Sequence, residues 1–241
     1  MQKYATGVVD HFTTLHATIR DKFLAIEEDK SHYSAAPWSS TLGSGQTCVL
    51  EHGKCFEKYA VNFSSIQSSN LPDSALGGAY AKDYTHFRAS GVSVITHPVN
   101  PYVPASHMNV RVFILYKDDK VLTWWFGGGY DLTPYFVFED DICHWHYNAM
   151  SALADFGASR YTAYKKACDN YFYLPHRQEM RGVGGIFFDK LNDIPFAQSQ
   201  ALVTAVAMEY LKSYTSIVQR RNKLKYTAEH VEFMRYRRTR Y

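Results

Sequence analysis

The chain has 241 residues, of which 46% are hydrophobic and 20% charged, and its net charge is +3 at pH 7. This balance is ordinary for a soluble globular protein, and the length suffices for one large core. No apolar run approaches the ~20 residues that a membrane-spanning helix requires, and the N-terminal segment has no hydrophobic signal core. No repeat or linker divides the sequence. We therefore expect a cytoplasmic protein without an integral membrane segment, folded as a single domain over residues 1–241.

The four cysteines are widely spread, and none forms a CxxC pair; they are Cys48, Cys55, Cys143 and Cys168. This spacing argues against a zinc knuckle and against a disulfide framework. We expect reduced thiols.

The C-terminal segment is basic, since residues 220–241 hold eight Arg and Lys side chains against two glutamates. Such a segment can be a nucleic-acid patch. A solvated helix face is the commoner explanation, so we expect no nucleic-acid partner.

The first half of the chain predicts one helix followed by strands. Helical spacing extends to about Glu28, and Ser- and Gly-rich turns follow at residues 38–45. The Ser-, Asn- and Pro-rich stretch Ser64–Leu76 is typical of a surface loop. Four runs rich in β-branched or aromatic residues predict strands: Thr47–Leu50, Gly91–His97, Asn109–Tyr116 and Val121–Phe126. The last two are expected to form an antiparallel hairpin through residues 117–120.

From Glu139 the apolar period changes to 3.6, which predicts helices with one short strand, Val183–Phe188, between them. The predicted helices are 139–156, about 158–173, 195–220 and 227–239. Strands joined by hairpins and bordered by helices indicate an α+β fold with a largely antiparallel sheet.

Two predicted strands carry polar side chains on one face only, because side chains alternate along a strand. Ser93 and His97 share a face of one strand, and Asn109 and Arg111 share a face of the next. The opposite faces are plainly apolar. The polar faces suit the floor of a ligand cavity, although an ordinary solvated sheet face would have the same pattern.

The helix predicted at 139–156 has an apolar stripe that includes Trp145 and His146, while His144 lies nearly opposite. Histidines at i and i+2 cannot jointly bind a metal ion from a regular helix. A lone histidine on an apolar stripe is usually a hydrogen-bonded core residue, which is the ordinary interpretation of His146.

The sequence WWFGGGYD at residues 124–131 places three glycines and a carboxylate after a strand. Glycine allows close backbone approach, and the run lacks the Lys and Ser or Thr of a phosphate-binding loop. Two interpretations stay open: a tight turn capped by Asp131, or a carboxylate presented to a ligand at the edge of a sheet.

Three long motifs give the most specific signal: GVSVITHPVNPYVPASHMNVRV at Gly91–Val112, WWFGGGYDLTPY at residues 124–135, and KACDNYFYLPHRQEMRGVGGIFFD at Lys166–Asp189. Together they resemble the oxygen-dependent coproporphyrinogen-III oxidase family, and the resemblance extends from about Trp38 to the C-terminus. It implies a large antiparallel sheet flanked by helices on both faces, and a homodimer.

The resemblance also implies a reaction of haem biosynthesis. Two propionates of coproporphyrinogen III are oxidatively decarboxylated to vinyl groups with O2 as co-substrate, giving protoporphyrinogen IX. No organic cofactor is implied. The excluded relative is the oxygen-independent enzyme, whose iron–sulfur cluster needs closely spaced cysteines.

The family's functional positions carry over one by one. The substrate-binding positions are Ser93, Asn109, Val110 and Arg111, and the catalytic positions are His107, Asp131 and Arg111. His107 is implied as proton donor, and Asp131 is implied to engage pyrrole N–H groups. A divalent metal cation is the implied cofactor, with the ligands His97, His107, His146 and His176. Four imidazoles can bind such an ion, or they can act as general acids and bases.

The chain also departs from the family pattern. Ala167 replaces a tryptophan before the signature cysteine, and the early turn, Leu42–Thr47, has fewer glycines and no arginine. The sequence ends before a further strand, a glycine-rich substrate loop and a dimer-forming region. We therefore expect altered contacts from that turn, an incomplete cavity and a weakened dimer.

Two other functions remain as alternatives at this point. A metal-dependent hydrolase would use the histidines to hold a metal ion and would not need oxygen. A non-catalytic tetrapyrrole-binding homologue would keep the cavity without turnover.

Overall fold

A computed structural model describes residues 2–71 and 84–240. The strands are β1 (Tyr33–Ser40), β2 (Gly43–Glu51), β3 (Phe56–Ser68), β4 (His86–Pro98), β5 (Ala105–Lys117), β6 (Lys120–Thr133), β7 (Tyr173–Leu174), β8 (Glu179–Met180) and β9 (Gly184–Leu191). The helices are α1 (Gln2–Ile26), α2 (Glu139–Leu153), α3 (Arg160–Phe172), α4 (Phe196–Arg221) and α5 (Ala228–Arg238), and a 3-10 turn, Ala154–Phe156, follows α2.

One seven-stranded sheet organises the chain, in the order β1-β2-β3-β4-β5-β6-β9. All of its neighbouring strands are antiparallel. The predicted α+β fold with an antiparallel sheet is therefore confirmed. The predicted hairpin is present as β5 and β6, which pair Lys117 with Lys120. Asp118 and Asp119 between them have φ of 49° and 62°, as a two-residue hairpin turn that follows the sheet twist requires.

The predicted strands were too short, and two strands of the seven-stranded sheet were missed, as were the two-residue strands β7 and β8. β1 was not predicted, and the turns expected at residues 38–45 are the ends of β1 and β2, which meet at Ser40 and Gly43. β3 was also not predicted. The loop expected from Ser64 is strand as far as Ser68, and the part of that prediction at residues 72–76 lies outside the described residues.

Helices α1 and α4 pack against one face of the sheet, called the helix face below. Val92, Val94, Val110 and Val112 are buried there, as predicted for the apolar sides of their strands. Phe23 of α1 is fully buried and lies within 6.1 Å, between ring centroids, of Phe56, Tyr59 and Tyr214. This apolar contact fixes α1 and α4 on the sheet.

The helix face also contains a buried polar network between β4, β5 and α4. The Thr96 hydroxyl lies 2.8 Å from those of Ser106 and Tyr214, and the Ser106 hydroxyl lies 2.8 Å from that of Tyr210. Tyr214 donates to the Pro104 carbonyl at 2.9 Å. Each hydroxyl thus has a partner, as buried polar groups require.

Helix α2 packs on α4, but it buries only part of the apolar stripe that the sequence predicted. Trp145 and Leu153 are buried as expected, but His146 is only half-buried. Asp141 and Asn148 are buried instead. Asn148 donates to Ser213 of α4 at 2.9 Å, and Asp141 forms ion pairs with the end of α4, so polar partners compensate both burials.

The basic C-terminal segment makes ion pairs within the fold. Arg220 and Arg221 both bond the buried Asp141 carboxylate, at 2.8 and 2.7 Å. Arg238 of α5 pairs with Glu57 and donates to the Pro98 carbonyl at 2.8 Å. Three of the eight basic side chains therefore connect elements of the fold.

The other face of the sheet is reached by a helix at one edge. Tyr171 near the end of α3 stacks on Phe187 of β9 with ring centroids 4.2 Å apart. Helices were expected on both faces of the sheet. Over the described residues they are extensive on the helix face and limited to this edge on the other face. Among those residues no helix is both long and apolar enough to cross a membrane.

Candidate active site

A groove lies on the sheet face opposite α1 and α4, across β4, β5, β6 and β9. It consists of two adjoining cavities of about 260 and 240 Å3, which share Ser93, Asn109 and Arg111. The first is lined further by Ile95, His107, Asp131, Tyr171, Phe172, Arg181 and Phe187, and the second by Asn62, Ser64, Ile66, Phe87, Ala89 and Phe113. The polar faces that the sequence singled out are therefore the floor of a cavity.

The strand registers arrange the floor in rows. Asn62, Ser93, Asn109 and Gly129 lie in register across four neighbouring strands. The next row along the sheet contains Ile95, His107 and Asp131. Neighbouring strands lie ~4.8 Å apart, so residues in one row can contact a single flat ligand.

The glycines of WWFGGGYD lie inside β6, so the tight turn considered from the sequence is wrong. At Gly129 φ is 148°, and a Cβ atom would lie 2.1 Å from the Ile186 carbonyl oxygen. At Gly127 a Cβ atom would lie 2.6 Å from Oδ1 of Asp189 and 3.2 Å from the Arg111 guanidinium. Glycine is needed at Gly129 because of its positive φ and the nearby carbonyl oxygen. It is needed at Gly127 because of the limited space beside Arg111.

Arg111 projects from β5 where the two cavities meet. Its Nη1 donates to Oδ1 of Asn109 at 2.9 Å, and its Nη2 lies 3.3 Å from Oδ1 of Asp189. Both side chains of the ion pair are about one-third exposed, at 30% and 32%. A long, exposed ion pair is weak, so another carboxylate can replace Asp189 at low cost.

A second charged cluster is more buried. Asp131, in β6, is only 1% exposed, and Arg181 bonds both of its oxygens, with Nη2–Oδ1 at 2.7 Å and Nε–Oδ2 at 3.2 Å. His107 lies beside this pair, with Nδ1 3.4 Å from Oδ1 of Asp131 and 3.4 Å from Nη2 of Arg181. The cluster therefore joins a buried ion pair to an imidazole on the groove wall.

The family model described as "Coproporphyrinogen III oxidase" matches residues 7–241. The chain belongs to the coproporphyrinogen III oxidase family. Two relatives are named "Oxygen-dependent coproporphyrinogen-III oxidase". The one from Francisella philomiragia subsp. philomiragia is 42% identical over 241 residues, which are 100% of this chain and 76% of that protein. The one from Francisella tularensis subsp. novicida is 42% identical over 243 residues, which cover 100% of this chain and 78% of that protein.

Most of the residues that the family resemblance predicted for substrate or catalysis line the groove. They are Ser93, His107, Asn109, Arg111 and Asp131. Val110 is the exception, because its side chain is fully buried in the core on the helix face. A molecule in the groove could meet only the backbone of Val110, as alternation along β5 dictates.

The four histidines implied as metal ligands do not converge. Within residues 2–71 and 84–240 no three or more His, Cys, Asp or Glu side chains form a group that could hold a metal ion. His146 has Nε2 3.0 Å from the Val183 carbonyl and Nδ1 3.2 Å from the Tyr161 hydroxyl. Both of its nitrogens are thus engaged, and burial lowers its pKa. His176 is exposed, in the connection between β7 and β8.

His97 lies on the groove side of β4, at the strand's end. Burial, assisted by the positive charge of nearby Arg238, lowers its pKa. Neutral imidazole is the form that binds metals and accepts protons. As a set, however, the four histidines do not fit a metal site in this arrangement, so we derive no step through a metal ion.

Two charged residues of the groove were missed from the sequence, although both lie within the third motif. Arg181 comes from the segment before β9, and Asp189 lies in β9. Their importance comes from pairing with Asp131 and Arg111, which are 50 and 78 positions away in the chain. The available signal was charge itself: a buried carboxylate at Asp131 requires a cationic partner.

Proposed function

We propose that this chain is an oxygen-dependent coproporphyrinogen-III oxidase that acts in the groove. For each of two propionates, –CH2–CH2–COO⁻, O2 and one proton give –CH=CH2, CO2 and H2O2. O2 takes up a hydride equivalent and one proton and is reduced to H2O2, while the side chain loses that hydride, is oxidised and releases CO2, whose bonding electron pair forms the double bond of the vinyl group. Membership of the family and the layout of the groove floor support this proposal.

The observation that carries the proposal is the row of small and polar residues in register, Asn62, Ser93, Asn109 and Gly129, bordered by the cationic Arg111 and Arg181. A tetrapyrrole is broad, and bulky floor residues would exclude it. Ser93 and Asn109 are partly exposed along one row, and Gly129 beside them has no side chain. Aromatic rings at Tyr171, Phe172 and Phe187 form an apolar rim at one side.

Arg111 is proposed to bind a propionate carboxylate. Its guanidinium offers a planar fork that matches a carboxylate, and Asn109 holds the fork by accepting from Nη1. A substrate carboxylate would replace Asp189, whose contact with Arg111 is long. The carboxylate that Arg111 holds fixes the position of the side chain on the floor.

His107 is proposed as the group that supplies the proton. The reaction consumes one proton per propionate, and His107 lines the groove with its side chain 22% exposed. Asp131 lies behind it, with a negative charge that favours partial positive charge on the electron-rich ring. Because Arg181 engages both Asp131 oxygens, Asp131 would act on the pyrrole N–H groups with its remaining lone pairs.

The single domain, the homodimer and the cytoplasmic location belong to the same proposal, and the turnover test below decides whether a divalent cation is required. One seven-stranded sheet contains strands from β1 to β9, which supports one domain. The resemblance to the family supports the homodimer. Sedimentation velocity would test the dimer, and a monomer at all concentrations would contradict it.

Turnover is tested by binding coproporphyrinogen III to chelator-treated protein without oxygen and then admitting air. Products are oxidised to porphyrins and separated. We expect protoporphyrin in amounts that depend on enzyme and oxygen, and parallel samples with added Mg2+, Mn2+ or Zn2+ decide the metal requirement. Binding without product under every condition would instead indicate a non-catalytic tetrapyrrole-binding protein.

A further inference from the structure

We infer that Arg181 is a positioning residue of this site, holding Asp131 and His107 in one fixed arrangement. The inference rests on the proposed function for its kinetic consequence, but its geometry stands independently. Arg181 contacts each of the two groups, whereas Arg111, the other arginine of the groove, contacts neither.

Asp131 depends on Arg181 for its charge and hydrogen bonds. A carboxylate with 1% exposure loses its hydration, and only paired charge and hydrogen bonds compensate for that loss. Arg181 supplies both through a two-point contact at 2.7 and 3.2 Å. A lysine could replace the charge but not the fork, so it would leave one oxygen without its donor and free the carboxylate to rotate.

His107 contacts the same guanidinium. Nη2 of Arg181 carries two hydrogens, and the shorter contact, to Asp131, uses one of them. The other is available to Nδ1 of His107, 3.4 Å away. Arginine can only donate, so we assign Nδ1 as the acceptor and the ring proton to Nε2; donation from Nδ1–H to Oδ1 of Asp131, also 3.4 Å away, would give the opposite tautomer. With the proton on Nε2, a neutral His107 can donate it from the ring nitrogen that is not in contact with Arg181.

Arg181 itself is held in place by the end of α3. Its guanidinium carbon lies 4.0 Å above the Phe172 ring centroid, and its backbone N–H donates to the Phe172 carbonyl at 3.2 Å. Phe172 is the last residue of α3, so the helix end supports the guanidinium from below. Such a support restricts the fork to one orientation.

The test compares Arg181→Lys and Arg181→Ala with Arg160→Lys. Arg160 is a matched control because it also forms a two-point pair, with Asp193 at 2.8 and 3.4 Å, but outside the groove. We expect kcat of Arg181→Lys to fall about 100-fold while KM changes by less than about 3-fold, as misplacement of reacting groups predicts. Arg160→Lys should keep both constants, and circular dichroism checks that each variant is folded.

Two further readouts separate positioning from general support of the fold. Added guanidinium ion should restore part of the kcat of Arg181→Ala, with no gain for the wild type. Nitrogen-15 NMR of His107 should show a protonated Nε2 in the wild type and a mixture of tautomers in Arg181→Lys.

Unchanged kcat and an unchanged His107 tautomer in a folded Arg181→Lys protein would overturn the inference. A proportional rise in KM alone would also overturn it, because Arg181 would then bind substrate directly. A wild type without product would overturn the proposed function instead, and the NMR comparison would still decide the role of Arg181.

Discussion

The two faces of the sheet use the same strands for different purposes. On the helix face, aromatic and β-branched residues are buried, and the network around Thr96 and Tyr214 has its hydroxyls paired. On the groove face, a row of small and polar residues crosses the strands, and Arg111 remains partly exposed with a weak partner. Adjacent residues of one strand should therefore respond differently to substitution. Changes on the helix face should lower stability, whereas changes in the groove should lower catalysis.

The largest expected effect is on the helix face, at Phe23. Phe23→Ala removes a fully buried ring that packs on Phe56, Tyr59 and Tyr214, and it should lower the free energy of unfolding by about 3–5 kcal/mol. Urea denaturation measures this loss. The neighbouring exposed Lys22→Ala is the control and should change stability by less than about 0.5 kcal/mol. If turnover per folded molecule fell as well, the separation of the two faces would be wrong.

The next effect concerns a buried carboxylate beside the helix face. Glu27 is 2% exposed, and its oxygens accept from five backbone N–H groups, those of Glu28, Asp29, Lys54, Cys55 and Phe56. Glu27→Gln turns an amide NH2 toward some of these donors, so we expect a loss of about 2–3 kcal/mol in urea denaturation. The exposed Glu28→Gln is the matched control. Equal stabilities of the two variants would contradict this account.

On the groove face, Arg111→Lys should change catalysis and leave stability nearly unchanged. Loss of a two-point contact to a substrate carboxylate should lower kcat/KM by about 10- to 100-fold, mainly through KM. Steady-state kinetics and thermal denaturation give the two quantities. Arg88→Lys, at an exposed position of the neighbouring strand β4, should match the wild type. A fall in kcat without a rise in KM would assign Arg111 to chemistry and not to binding.

The sequence predicted the parts of the fold that alternation and turn chemistry determine locally. The alternation in Val92–His97 and Asn109–Ile114 placed both core and groove sides correctly, because one side of each strand is consistently apolar. β1 was missed for a physical reason: it is an edge strand, exposed on both sides for most of its length and interrupted by Pro37. β3 was detectable, since Tyr59, Val61 and Phe63 alternate on the buried side.

The sequence predicted several residues of the candidate site, but it did not predict which of them contact each other. Polar residues on strand faces and the motifs marked His107, Arg111 and Asp131. Spacing along the chain does not show that Arg181 meets Asp131, because β9 reaches the edge of β6 only after two intervening helices. The family resemblance implied four histidines as metal ligands, whereas His146 is engaged by Val183 and Tyr161, closer to the ordinary interpretation of a hydrogen-bonded histidine.

A smaller effect is expected at Gly127, between the glycine floor and Arg111. The Cβ of Gly127→Ala would meet the ends of the Asp189 and Arg111 side chains, which can move, so stability should fall by less than about 1 kcal/mol. Displacement of the guanidinium should still raise KM several-fold. Gly129→Ala is the contrasting variant, since its Cβ would meet the Ile186 carbonyl at positive φ and should reduce stability more. Equal losses of stability would contradict the distinction.

The smallest expected effect is a pH dependence that originates on the helix face. His16 of α1 is 1% exposed with Nε2 3.1 Å from the Val61 carbonyl, and desolvation lowers its pKa despite that hydrogen bond. Protonation therefore favours the unfolded chain, so this contribution is complete above pH ~6.5 and declines as pH falls toward the lower folded pKa. The loss of stability between about pH 7.5 and about pH 5.5, measured by urea denaturation, should be smaller for His16→Gln than for the wild type. The exposed His32→Gln is the control. Burial also lowers the pKa of other histidines, so part of the wild-type slope should remain in His16→Gln; they are His11, His97, His144 and His146. An unchanged slope in His16→Gln would mean that the acid sensitivity originates at those positions and not at His16.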